Sequence, residues 1–252
     1  MNTVFITGAT SGFGEAIART LAKHNVKMII TGRTADKLMQ VAQEIESTTQ
    51  TKVLPLVFDV RDYDACEKAI NSMPEEFRNV DVLVNNAGLA VELNAVHEGA
   101  LEDWERMIDT NIKGLLYVTR LISPGMVERK NGHIINLGST ASHEIYYGGN
   151  VYCATKHAVN ALTKGMRTDF LKYGIKVTQI SPGACETNFS VVRFHGDKEK
   201  ADKVYEGYDP LVAQDIADVV EFALTRPAHV CLNEIIMTPK AQFNGTIVRE
   251  SK

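Results

Sequence analysis

The chain has 252 residues, enough for one α/β domain or two small ones with a substantial core. Its apolar content of 44% and charged content of 23% are those of an ordinary globular protein. A formal charge of −4, without any long Lys/Arg block, gives no support to a nucleic-acid binder. The opening MNTVFITGAT lacks a basic stretch followed by a long apolar run, so no secretory leader is expected. No window approaches the roughly 18 apolar residues of a membrane span. Cys66, Cys153, Cys185 and Cys231 are scattered without a CxxC pair. No metal site or disulfide framework is therefore expected, and isolated thiols suit the cytoplasm.

Short β-branched runs recur along the chain at 3–7, 27–31, 52–60, 80–86, 132–139, 175–183 and 234–237. Segments with helical spacing lie between them. One starts at Gly12 and carries Ile17 and Leu21; the next, from Asp36, carries Leu38, Val41, Ala42 and Ile45. In LEDWERMIDTNIKGLLYVTRLISPGMVER the spacing predicts a buried stripe of Leu101, Trp104, Ile108, Ile112 and Leu115/Leu116. Strands alternating with helices imply βαβ units: an α/β, doubly wound parallel sheet of seven strands with helices on both faces. There is no repeat, low-complexity tract or linker, so residues 1–252 are expected to form a single domain. The segment from about 188 to 209 interrupts the alternation and reads as a lid.

The first strand runs into Thr7-Gly8-Ala9-Thr10-Ser11-Gly12-Phe13-Gly14, and a helix follows at once. Glycines let a backbone approach a pyrophosphate, and a helix N-terminus offers free N–H groups and partial positive charge. The position of this turn at the front of a βαβ pattern marks a Rossmann-type dinucleotide site. An acid ending the second strand would bind a ribose 2′-hydroxyl; here the strand ends Thr31-Gly32-Arg33. Arg33 can instead grip a 2′-phosphate through a charge-assisted fork, with Thr31 or Thr34 adding a hydroxyl, so the expected cofactor is NADP(H).

Tyr152 and Lys156 are four apart in a segment with helical spacing, which puts phenol and ammonium on one face. A nearby cation lowers a phenol's pKa toward a useful range. Ser139 ends the preceding strand, where its hydroxyl can meet a reacting oxygen. Asn111 stands inside a helix, where it is a poor choice for stability, and is either a local structural bond or part of a proton path. His143 reads as a loop histidine that this chemistry does not need.

Taken together, TGATSGFG (7–14), Asp59, NNAG (85–88), Asn111, Ser139, YCATK (152–156) and SPGACET (181–187) resemble the short-chain dehydrogenase/reductase family from end to end. The resemblance implies an oxidoreductase in which Gly8, Gly12 and Gly14 bind the pyrophosphate region. Thr10, Ser11 and Phe13 of the same turn join that site. Asp59 with Val60 would border the adenine; Asn86, with Ala87 and Gly88, would stabilise the cofactor side. Lys156 would hold the nicotinamide ribose, and Pro182, Gly183 and Thr187 the carboxamide. Ser139 would hold the substrate oxygen, Tyr152 would be the acid/base, and Asn111 would anchor a water linking Lys156 to solvent. Among the branches, the wording around 85–156 is similar to the bacterial NADP-dependent 3-hydroxy acid dehydrogenases, which act on serine, allo-threonine or malonic semialdehyde. That implies a homotetramer as the assembly. A sulfoacetaldehyde-reducing branch is also similar.

For a small anionic substrate, Arg193 in the lid is the candidate cation, and Tyr146 and Asn150 are candidate pocket residues beside Ser139 and Tyr152. Two other readings stand against this one. A dinucleotide-sensing regulator that had lost chemistry should lack one of Ser139, Tyr152 and Lys156, and all three are present. A reductase of bulky apolar ketones fits poorly with so charged a lid.

Overall fold

The computed structural model describes residues 2–243 and 245–249; the outermost bounds of the expected domain, residues 1 and 252, lie outside them. In chain order the first half gives β1 (Thr3–Ile6), α1 (Gly12–Ala22), β2 (Lys27–Gly32), α2 (Ala35–Thr48), β3 (Lys52–Val57), α3 (Tyr63–Asn71) and β4 (Val82–Asn85). Next come α4 (Leu101–Ile108), α5 (Leu115–Arg129), β5 (His133–Leu137), α6 (Asn150–Phe170) and β6 (Lys176–Pro182). The chain continues through β7 (Cys185–Glu186), α7 (Asn188–Arg193), α8 (Lys198–Lys203), β8 (Leu211–Val212), α9 (Ala213–Leu224) and β9 (Glu234–Met237). Two short strands, β10 (Gln242–Phe243) and β11 (Thr246–Ile247), close it.

Seven strands form one sheet in the order β3-β2-β1-β4-β5-β6-β9, and every neighbouring pair is parallel. Because side chains alternate along a strand, each strand feeds two cores. Val4, Ile6, Met28, Ile30, Val84 and Ile135 pack with Ile17, Leu21, Leu38, Val41, Ile216 and Val220 from α1, α2 and α9. Phe5, Ile29, Leu83, Ile134 and Val177 pack with Ile70, Val118, Ile122, Met126 and Val159 from α3, α5 and α6 on the other face. Burial on both faces is why the central strands β1, β2 and β4 carry unbroken apolar runs, Val4–Ile6, Met28–Ile30 and Val82–Val84. Pro55 sits in β3, an edge strand, where its missing N–H costs no ladder bond.

The chain leaves β1 toward β2 and β3, then returns to place β4 on the other side of β1. This reversal opens a crevice at the carboxyl ends of β1 and β4, the usual place for a ligand in such a sheet.

Two sequence expectations need correction. The third strand ends at Val57 rather than continuing to 60, so Phe58, Asp59 and Val60 form the turn that borders the crevice. The stripe predicted in the long helical segment is buried only in part: Leu115 is buried, but Leu101 is 66% exposed and Ile108 and Leu116 are exposed too, while Met107, Thr110, Asn111, Gly114 and Val118 are buried. A wider, π-helical turn at Asp109–Gly114 between α4 and α5 breaks the register beyond Ile108, whereas Leu101 is exposed as the first residue of α4. Such a turn rotates everything after it relative to a 3.6-residue repeat.

Candidate active site

The crevice is a cavity of about 590 Å³, and it runs from the first glycine turn to the lid. At its nucleotide end, Gly8 (φ 68°) and Gly12 (φ 59°) adopt the left-handed backbone that favours glycine. Ser11 is the N-cap of α1, but its side chain makes no capping bond, so the first-turn N–H groups are left for a ligand. Thr7 and Asn86 brace the turn. Asn86 Nδ2 donates to the Thr7 and Gly8 carbonyls at 2.8 and 3.0 Å, and Thr7 Oγ1 accepts from the N–H groups of Asn86 and Ala87 at 3.0 and 2.9 Å.

Arg33 emerges from the end of β2 with its side chain 54% exposed, 3.8 Å from Asp59 Oδ2. Asp59 is gripped more closely by Arg61, whose Nη2 donates at 2.7 Å. Burial pushes the Asp59 carboxyl up, but hydrogen bonds from Arg61 and the charge of Arg33 hold it below the ordinary carboxylate range. The acid facing Arg33 is thus occupied, and Arg33 keeps donors turned to the crevice mouth. A guanidinium held only loosely by Asp59 fits a phosphate-bearing ribose.

At the other end, Ser139 follows β5 and caps a tight turn: its Oγ accepts from the Ala141 N–H at 3.1 Å, and Ser142 Oγ accepts from the Ser139 N–H at 3.1 Å. Tyr152 and Lys156 occupy the first two turns of α6, and both are buried. The Ser139 hydroxyl faces the Tyr152 phenol across the crevice, near enough to favour its ionised form. Lys156 Nζ donates to the Leu137 carbonyl at 2.8 Å and lies 5.9 Å from the Tyr152 ring centre. Burial pushes the Lys156 ammonium down to about 8.

Burial also raises the Tyr152 phenol above its ordinary value; the charge of Arg193, then the Ser139 hydroxyl, pull in the other direction. Arg193 thus joins Lys156 as a cation beside Tyr152, where the spacing alone pointed to Lys156. The Arg193 guanidinium stands 5.6 Å from the Tyr152 ring centre and 5.2 Å from that of Phe189. Its Nη2 approaches the Tyr146 hydroxyl at 3.4 Å, and its buried Nε has no hydrogen-bond partner among the described residues.

Most of the predicted residues share this one cavity: Gly8, Thr10, Ser11, Gly12, Phe13, Arg33, Asp59, Val60, Asn86, Ala87, Gly88, Ser139, Tyr146, Tyr152, Lys156, Pro182, Gly183, Thr187 and Arg193 all border it. Three do not. Gly14 lies behind the turn, with Asn86 Nδ2 only 2.5 Å from where a Cβ would sit. Asn111, buried in the π-helical turn, accepts from the Leu89 N–H at 2.9 Å and donates to the Leu89 carbonyl at 2.8 Å and Thr155 Oγ1 at 3.0 Å. Its side chain is therefore a structural tie. Asn150 is turned away from the crevice and donates to the Asn94 carbonyl at 2.7 Å. His143 pairs with Glu234 at 2.8 Å, consistent with a loop histidine.

Sequence reasoning missed two walls. Phe189, edge-on to Tyr152 with ring centres 5.9 Å apart, sits two residues past Thr187 and was within reach of a motif argument. Gln242, Ile247 and Arg249 also border the cavity, from a hairpin that carries no motif. Among the described residues there is no cluster able to hold a metal, and no helix is long and apolar enough to cross a membrane.

Comparison with known proteins agrees with this geometry. The short chain dehydrogenase family model matches residues 2–197. The chain is 48% identical to an NADP-dependent 3-hydroxy acid dehydrogenase, YdfG, of Salmonella typhi, over 98% of this chain and 99% of that one. It is 43% identical to a serine 3-dehydrogenase of Agrobacterium fabrum, over 99% of both. The closed form of a serine dehydrogenase complexed with NADP+ superimposes with a TM-score of 0.92 at 44% identity, covering 99% of this chain and 100% of that one. A glycine turn at a sheet reversal, a Ser–Tyr–Lys group across from it, and relatives alike over their whole length lead to one assignment: the chain belongs to the short-chain dehydrogenase family.

Proposed function

We propose that the chain is an NADP(H)-dependent oxidoreductase that interconverts a small hydroxy acid and its aldehyde or keto form. Its substrates are 3-hydroxy acids of the serine, allo-threonine or 3-hydroxypropionate kind. The observation that carries the substrate class is Arg193. A buried guanidinium N–H without a partner is costly, and a carboxylate placed between Arg193 and Tyr146 would satisfy it with a charge-assisted bond. The cofactor assignment rests on Arg33 and the absence of an acid at the end of β2, and the NADP-dependent relatives support it.

The glycine turn would hold NADPH, which would supply the hydride when bound. In the reductive direction Tyr152 gives its phenol proton to the substrate oxygen as negative charge develops there, and burial keeps that phenol protonated until it is needed. Ser139 donates to the same oxygen from the opposite side. Lys156, tethered to the end of β5, would hold the nicotinamide ribose; it would help return a proton to Tyr152 after reduction and take one from it in the oxidative direction. Asn111 positions Leu89 and Thr155 around them. The described chain acts as one domain, with α7 and α8 as the lid, and the homotetramer implied by the family is its assembly.

The test is a panel of short hydroxy acids, semialdehydes and neutral ketones, with reduced nicotinamide followed by absorbance. Malonic semialdehyde and 3-hydroxy acids should turn over with NADP(H). Sulfoacetaldehyde, whose sulfonate offers Arg193 the same charge, belongs in the panel as the runner-up. Tyr152→Phe should lose at least about a hundredfold in turnover with NADPH binding intact. Wild-type-like turnover by that variant, or a preference for bulky neutral ketones, would overturn the reading.

A further inference from the structure

Arg193 is the last residue of α7, and little anchors its side chain: two ring faces and one long bond to Tyr146. A guanidinium that recognises an anion must be held in place, so the restraint has to come from its backbone. Two ties supply it. The Arg193 carbonyl accepts from the Glu92 N–H at 2.9 Å, in the loop that follows β4. Two residues further on, His195 Nε2 stands 3.6 Å from Glu92 Oε1 and 3.6 Å from Asp103 Oδ2 in the first turn of α4.

The imidazole is thus bracketed by carboxylates from two separate elements. Both His195 and Glu92 have φ 50°, a left-handed backbone that residues with side chains adopt reluctantly, so the surroundings hold both in place. The same loop carries Leu93 to the cavity wall, and Asn150 pins it at Asn94.

We propose that His195, Glu92 and Asp103 form a latch that fixes the start of the lid and thereby aims Arg193 at the substrate anion. His195 is a positioning residue, and the inference rests on the reading of Arg193 as the anion clamp. Without the imidazole, Glu92 and Asp103 lose the side chain that lies between them, and their mutual repulsion pushes the loop and the lid apart.

The experiment compares His195→Ala, the milder Glu92→Gln, and Arg193→Ala in the full chain. It uses a 3-hydroxy carboxylate, a neutral short aldehyde, and hydrogen exchange of the amides at 190–196. Each latch variant should raise the KM for the carboxylate about two- to fivefold, the scale of half-exposed ion pairs. kcat, NADPH affinity and the KM for the neutral aldehyde should stay unchanged, and exchange at 190–196 should quicken. General destabilisation would move all of these together and would overturn the latch. Unchanged exchange in both latch variants overturns it too, whatever Arg193 does. A KM rise with Arg193→Ala alone sinks the latch and leaves the clamp standing. No rise with Arg193→Ala sinks the clamp, and with it the purpose assigned to the latch.

Discussion

Gly14→Ala sets two opposing effects against each other at the nucleotide turn. Alanine in place of glycine inside a helix gains about 0.5–1 kcal/mol from backbone entropy. At this position the new Cβ would stand 2.5 Å from Asn86 Nδ2 and 2.9 Å from the Gly8 carbonyl carbon, and it would run into the Gly8 carbonyl oxygen as well. Those neighbours are backbone and a side chain already committed to the Thr7 and Gly8 carbonyls, so neither can swing aside. Overpacking of this kind costs about 1–3 kcal/mol, and displacing the Asn86–Gly8 hydrogen bond adds about 0.5–1.5 kcal/mol. The cost wins by about 1–3 kcal/mol. At about 2–4 °C per kcal/mol for a chain of this size, Tm falls by roughly 2–12 °C. Because the displaced carbonyl belongs to the turn facing the pyrophosphate, NADPH affinity falls as well. Thermal unfolding and a fluorescence titration with NADPH read the two effects. Gly165→Ala is the control: it lies on the exposed side of α6 with nothing within 4 Å of a new Cβ, and it should stabilise. A Gly14→Ala protein as stable as its parent, with unaltered NADPH binding, would refute the steric argument.

Three further outcomes are expected. The Lys156 ammonium is pushed by burial from 10.5 down to about 8, so between those values the unfolded chain holds a proton that the folded chain does not. The stability of the cofactor-free protein therefore rises with pH through that window, and Lys156→Met should exceed its parent by up to about 3 kcal/mol at neutral pH, with the gap closing toward pH 10.5. A pH-independent gap in urea unfolding would contradict this. His133, bonded to Thr178 at 2.8 Å, is held neutral by burial, with the Lys176 charge adding to it, down to about 3 from 6.5. Its stability contribution is lost as pH falls through that range, by about 3 kcal/mol at about pH 4.5, and His133→Gln should flatten the acid limb of the stability–pH curve. Arg33→Ala should raise the KM for NADP about ten- to a hundredfold and leave the KM for NAD nearly unchanged, as befits a lost charged contact to a 2′-phosphate. Equal changes for both cofactors would remove Arg33 from that role.

The sheet was legible in the sequence because seven short runs recur between helical segments, and burial on both faces keeps the central ones apolar at Val4–Ile6, Met28–Ile30 and Val82–Val84. The glycine turn was legible because its spacing between a strand and a helix is imposed by close backbone approach at Gly8 and Gly14. What failed did so for identifiable reasons. The Leu101–Leu116 stripe assumed a constant 3.6-residue repeat; the π-helical turn at Asp109–Gly114 broke it beyond Ile108, and Leu101 is exposed because it opens α4. Asn150 is next in sequence to the pocket, yet as the first residue of α6 its side chain turns outward to Asn94. The hairpin wall of Gln242 and Ile247 follows the last sheet strand, and its place is set by tertiary contacts such as Gln242 Oε1 accepting from the Ala184 N–H at 2.7 Å. Local spacing cannot encode that. The role of Arg193 beside Tyr152 depends on where the lid folds back, which no periodicity records.

The bond from Lys156 to the Leu137 carbonyl links two parts of the site that come from different elements. Leu137 is the final residue of β5, and Ser139 follows two positions later in a turn stapled by its own capping bonds. The hydroxyl and the ammonium thus share one frame of reference, the end of a fully buried strand, although one is loop-borne and the other helix-borne. If α6 shifts along the sheet as a ligand enters, Tyr152 moves relative to that frame while the lysine head group and the serine keep their mutual separation. Alignment of the site then reduces largely to one degree of freedom, the placement of the phenol.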